Sequence, residues 1–231
     1  MSANYSLLKT SENELLAKFR TFAKHVILSW KELYKTLSAE KTISKKKLEL
    51  FFEYEDQSNH YEAEILDDAM WTISKNQPVG NHLRFVIAIL NSITDLERMA
   101  DYVMSTARFY NTHKVIDNKI FSLLLDSIKD SYTYIEKIIN CLINKKAVET
   151  YELAVKYQKN YQVKYQETMH LLSKYIHNMS AKQVSDFLTG SIIIFKHVER
   201  NVDHAVNIAE NFIYIKESNF FFTKKSKQAE K

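Results

Sequence analysis

A segment of this chain recurs 102 positions further along. Asp95-Leu96-Glu97-Arg98-Met99-Ala100-Asp101 returns without a gap as His197-Val198-Glu199-Arg200-Asn201-Val202-Asp203, and an alanine (Ala107, Ala209) follows each copy. Self-similarity at so long a period is the mark of a duplicated structural unit. In a chain of 231 residues it predicts two modules, spanning 1–115 and 116–231. The shared element is polar and acidic, which suits chemistry or recognition better than packing.

The fold class follows from what is missing. Two glycines and one proline are too few for the many turns of a β-rich or α/β chain, so the sequence predicts an all-α protein of long helices. Six are expected, in two sets of three. Ser11-x-x-Glu14 reads as a capping box opening a first helix to about Leu37. A second runs over about 45–75, and Gln77-Pro78-Val79-Gly80 breaks the chain before a third over 79–112. Asp117 caps a fourth that ends near Ile143 and Asn144, a fifth covers 146–177, and Ser180-x-x-Gln183 opens a sixth to about Lys216. Ser180 stands 102 residues after Pro78, so the breaks keep the period as well.

The last helix of each set shows its inner face. Val86, Ile89, Ile93, Leu96, Ala100, Val103, Ala107 and Tyr110 form one apolar stripe at helical spacing. Leu188, Ser191, Phe195, Val198, Val202, Ala205, Ala209 and Phe212 form its counterpart. Two pseudo-symmetric three-helix bundles, each closed around its last helix, satisfy both stripes.

Charge and cysteine content remove several functions. The net charge is +4, the first 115 residues are balanced, and much of the excess sits in the tail Lys224-Lys225-Ser226-Lys227, a poor basis for nucleic-acid binding. Behind Phe220-Phe221-Phe222 that tail reads as a solvated end or as a contact with anionic lipid. Cys141 is alone, which excludes an internal disulfide or a cysteine metal site and leaves it as core filler. The apolar runs Phe85–Leu90 and Ile192–Phe195 are far short of the ~20 residues of a membrane span, and the first residues lack a signal-peptide pattern. A cytoplasmic protein, at most peripheral to a membrane, is expected.

Glu97 and Asp101 lie one turn apart on one helix face, as do Glu199 and Asp203. Such pairs sit at the edge of the apolar stripe and are expected to be hydrated and ionised. Carboxylates so spaced repel by about 0.2–0.5 kcal/mol, so a duplicated pair suggests a counter-charge such as Mg²⁺, Mn²⁺ or Fe. The plainer reading is an ordinary charged face, with Arg98 bridging Asp95 and Asp101. A ferritin-like di-metal enzyme needs two Glu-x-x-His motifs, and Glu167-x-x-His170 alone fits. Gly190-Ser191 lies within a helix, not on a nucleophile elbow, and there is no Gly-rich phosphate loop.

The run from Gln77 to Phe85 followed by Asp95-Leu96-Glu97-Arg98-Met99-Ala100-Asp101 resembles the first repeat of the PhoU family, accessory proteins of bacterial phosphate uptake. Glu199 to Glu210, with its trailing Asn207-Ile208-Ala209-Glu210, resembles the second, and the likeness extends over the whole chain in length and spacing. The resemblance implies a non-enzymatic regulator acting on the phosphate ABC transporter through its ATPase subunit, and on a membrane sensor kinase where one exists. A homodimer is implied too, as are Glu/Asp-x-x-x-Asp motifs binding Fe, Zn, Mn or Mg ions.

On that basis the metal residues are Glu97, Asp101, Glu55 and Asn59 in the first bundle, with Glu62 nearby, and Glu199 and Asp203 in the second. The chain departs from the family pattern in its fifth helix, where Gln158, Asn160, Gln162 and Gln166 occupy the middle. Amides lack the charge that supplies most cation affinity, so the first bundle is expected to be the competent site. Ala100 and Val202 replace the usual glycine of each motif, and His204 is expected as a surface hydrogen-bonder beside Asp203. A purely structural helical adaptor without metal is the remaining alternative.

Overall fold

The computed structural model describes residues 2–143, 147–176 and 182–216, and these form six α-helices. They are α1 (Ser2–Glu40), α2 (Lys45–Asn76), α3 (Asn81–Thr112), α4 (Asn118–Ile143), α5 (Ala147–Ile176) and α6 (Lys182–Lys216). The expected caps at Asn144 and Ser180 and the basic tail fall outside the described residues.

Local chemistry sets the boundaries. Ser44 is extended and its hydroxyl accepts from the Lys47 amide at 3.3 Å, capping α2. Gln77 adopts the left-handed conformation (φ 46°) and Gly80 takes φ 59°, so the chain turns sharply around the buried Pro78. Asp117 caps α4, accepting from the amides of Lys119 (2.8 Å) and Ile120 (2.9 Å). The expectation for Ser11 is corrected: α1 begins upstream, at Ser2. The Ser11 hydroxyl is buried, donates back to the Leu7 carbonyl at 3.2 Å and accepts from Asn76 of α2 at 3.1 Å. The same side chain thus serves tertiary packing, not a helix start.

Helices α1, α2 and α3 pack on one another, as do α4, α5 and α6. Every residue of the two apolar stripes is buried. Trp30 of α1 is fully enclosed and its indole N–H donates to the Met99 carbonyl of α3 at 3.1 Å. The α1–α2 turn is clasped to the end of α3, where Ile43 N and Thr42 Oγ1 both donate to the Tyr110 carbonyl at 3.0 Å.

The last helices do more than centre their own bundles. They also pack on each other, and α1 packs on α4. The α3–α6 seam is polar and ordered. His204 Nδ1 lies 2.7 Å from Asp95 Oδ1, with both side chains nearly enclosed, and Tyr102 Oη lies 3.2 Å from His204 Nε2. Asn207 adds a longer bond to Asp95 (3.4 Å), and Asn211 donates to Ser92 (3.3 Å). A proton on Nδ1 and a lone pair on Nε2 satisfy both neighbours: the ring donates to Asp95 and accepts from Tyr102.

Shifting by the repeat turns Asp95·His204 into His197·Tyr102, and those two rings stack at 4.7 Å with planes 13° apart. A contact between i and j that maps onto one between j and i is the signature of two-fold association. Further along the seam Gly190 is required by sterics, because a β-carbon there would collide with the Phe109 ring. That ring is held by stacking on His113 at 4.4 Å.

Asp95 and His204 are therefore corrected from surface residues to buried partners. Replacing Asp95 with Ala leaves a buried imidazole N–H unsatisfied, a loss of about 1–3 kcal/mol. Thermal unfolding of Asp95→Ala should show it. A change below about 0.5 kcal/mol would mean that apolar contacts alone hold the seam.

Candidate functional site

The acidic motif of the first bundle lies on α3 where it faces α2. Glu97 is half-buried, Asp101 is exposed, and Glu62 on α2 accepts a hydrogen bond from Thr94 at 3.0 Å. The expectation of fully hydrated, ionised carboxylates fails at Glu97. Its pKa is pushed up from the usual 4.5 to about 7, foremost by burial, then by the charges of Asp101 and Glu62 and a hydrogen bond with Asp101. Arg98 opposes the shift only weakly and is exposed. Burial and the two neighbouring carboxylates thus leave Glu97 partly protonated near neutral pH.

Glu55 lies further along the same face, with the Arg108 guanidinium at 3.4 Å, and that guanidinium also sits 5.1 Å over the Phe52 ring. Glu55 and Arg108, together with Asp101, Tyr102, Met104, Ser105 and His197, line a groove of about 360 Å³ reaching from α2 across α3 to α6. Asn59 is exposed on α2, one turn from Glu55. His197 is held neutral, its pKa lowered first by burial and then by Arg200, and its Nδ1 is buried without a hydrogen-bond partner. Among the described residues no three His, Cys, Asp or Glu side chains are gathered closely enough to hold a metal ion.

The second bundle repeats the motif in another setting. Phe51, Ser58, Ile65 and Ala69 of α2 are buried where α5 buries Ala154, Tyr161, Thr168 and Leu172, each 103 residues later. This pattern matches Glu55 to Gln158, Asn59 to Gln162 and Glu62 to Tyr165. On α6 the period stays at 102, so Thr94 is matched by Lys196. Gln158 Nε2 donates to Asp203 Oδ1 at 2.7 Å, and the Lys196 ammonium is ion-paired with Glu199. The two faces share two carboxylates and little else.

Sequence reasoning missed Lys196 because the motif was read from its first acid onward. Extending the alignment one residue before Asp95 and His197 sets Thr94 against Lys196 and would have found it.

The molecule is all-helical, and its repeated acidic motif lies on α3 and α6. The PhoU domain family is matched over residues 20–109. An uncharacterized protein of Mycoplasma genitalium is 33% identical over 94% of this chain and 98% of its own length. The phosphate-specific transport system accessory protein PhoU homolog 1 of Thermotoga maritima is 23% identical over 88% of each chain. The crystal structure of the phosphate transport system regulatory protein PhoU from Streptococcus pneumoniae superposes with a TM-score of 0.77 at 19% identity, covering 91% of this chain and 97% of that one. PhoU from Pseudomonas aeruginosa gives 0.62 at 20% identity, over 93% and 97%. The chain belongs to the PhoU family, which is regulatory and not enzymatic. Among the described residues, no helix is long and apolar enough to cross a membrane.

The raised Glu97 carboxyl has a measurable consequence. A group that binds its proton more tightly when folded makes the protein lose stability as pH rises, here between 4.5 and about 7. In metal-free buffer, Glu97→Gln should abolish that decline and unfold at a higher temperature than the parent at pH 8. An unchanged pH profile would show that the carboxyl titrates normally.

Proposed function

We propose that this chain is a cytoplasmic, non-catalytic regulator of phosphate uptake. It docks at the inner face of the plasma membrane on the ATPase subunit of the phosphate ABC transporter and restrains it when phosphate is plentiful. Where the cell has a membrane sensor kinase for phosphate, the same surface serves that partner, and the working unit is a homodimer. The division at 1–115 and 116–231 gives two modules, of which the first carries the metal-responsive face.

The observation that carries the reading is the state of Glu97. Burial beside Asp101 and Glu62 raises it to about 7, a strain that a divalent cation relieves by supplying the missing charge. The donors are oxygen atoms: Glu97 and Asp101 on α3, with Glu55 and Asn59 on α2. They suit Mg²⁺, Mn²⁺, Zn²⁺ or iron by ligand type. A bound cation would hold the α2 and α3 side chains in one arrangement, and the partner would read that arrangement. Glu199 and Asp203, the carboxylates expected as the second set, already have Lys196 and Gln158 as partners on α6. The absence of three gathered donors among the described residues favours a second reading, a metal-free helical adaptor.

Elemental analysis of purified protein, with Glu97→Ala/Asp101→Ala alongside, separates the two. Bound metal that disappears in the folded variant supports the cation reading. Absence of metal from both favours the adaptor. Binding to the transporter's ATPase subunit is then measured with and without the metal. Equal affinity would leave regulation to protein contacts alone, and no binding at all would remove the transporter from the proposal.

A further inference from the structure

Both copies keep their glutamate and aspartate, yet their neighbours differ: Glu62 lies beside Glu97, whereas Lys196 pairs with Glu199. On α6 the Glu199 side chain is 12% exposed, enclosed enough that an unpartnered carboxylate would be costly. Its partner is supplied from within the helix: Lys196, three residues earlier, is ion-paired with it. In isolated helices the favoured order places the acid before the base, so helix preference does not account for this pairing. The setting does. The Lys196 ammonium also lies 5.5 Å over the Tyr165 ring and interacts favourably with Asp203, while Gln158 donates to Asp203 from the opposite helix. One side chain thus serves both carboxylates, and an amide completes the set.

We infer that the second copy of the motif is closed by the chain's own cation. Lys196, standing where the first copy has Thr94, is the built-in counter-ion of Glu199 and Asp203, and this face takes up no metal ion. A tethered ammonium is present at every metal concentration, and an entering cation would have to displace it and leave it unpaired. Gln158 and Tyr165, in place of Glu55 and Glu62, remove the charge with which a cation could compete. The contrast between a metal-responsive half and a constitutively neutralised half rests on the first-bundle reading proposed above. The closure itself does not.

Two arms test it on the full chain. In EDTA, Lys196→Thr should lower the unfolding temperature at pH 8 by leaving Glu199 unpaired, and adding Glu199→Gln should recover most of the loss. No loss, or no recovery, would overturn the assignment of Lys196 as counter-ion. The second arm counts bound Mn²⁺ by equilibrium dialysis. Asp203→Asn should leave the parent's stoichiometry unchanged, and a lower stoichiometry would show that the second face is loaded despite Lys196. When the parent binds Mn²⁺, Lys196→Thr/Gln158→Glu should gain a further equivalent that Asp203→Asn removes. A folded double variant that gains none would overturn the claim that Lys196 and Gln158 are what keep the cation out. A parent that binds no Mn²⁺ removes that ion from the first-bundle reading, and the EDTA arm then decides the closure alone.

Discussion

The arrangement of this molecule depends on how α3 and α6 meet. Each is the central helix of its own bundle and is also half of the contact between bundles. An apolar stripe satisfies the first duty without specifying an orientation, since oily surfaces slide and rotate at small cost. The buried Asp95–His204 contact, with Tyr102 on the far ring nitrogen, makes one register satisfied and its neighbours costly. Gly190, which has room for the Phe109 ring and no β-carbon, sets the same register sterically.

The seam also explains how a duplicated chain became asymmetric without losing its fold. Under the repeat, Asp95·His204 and His197·Tyr102 are the same contact, one made by a charge-assisted hydrogen bond and the other by ring stacking. Shape is kept where the bundles touch, and chemistry is free to diverge. The outward motif shows the same divergence. Glu97 and Asp101 face Glu62 and a threonine, whereas Glu199 and Asp203 face a lysine, a tyrosine and a glutamine. Packing constrains volume and face, and the carboxylates at the edge of the stripe answer mainly to their electrostatic neighbours.

Helix number, approximate ends and the buried stripes were legible because they depend on local rules. Scarce glycine and proline, a period of 3.6 and the break at Pro78 each act within a few residues. Ser11 shows the limit: its capping-box spacing is real, but a serine that can bond to Leu7 and Asn76 need not begin a helix. The candidate site was legible as a motif and illegible as a charge state. Asp95 read as surface because Arg98, three residues on, offered it a local partner, and its actual partner His204 is 109 residues away.

By itself, then, the sequence determined that the chain is helical and internally repeated. These conclusions rest on periodicity, composition and recurrence, which are properties of order along the chain. Tertiary structure alone decided which copies of the motif are electrostatically satisfied, and which polar residues lock the two halves together. Burial and the approach of distant charges set both outcomes. A carboxylate's pKa responds to what lies within a few ångströms of it, whatever its distance along the chain.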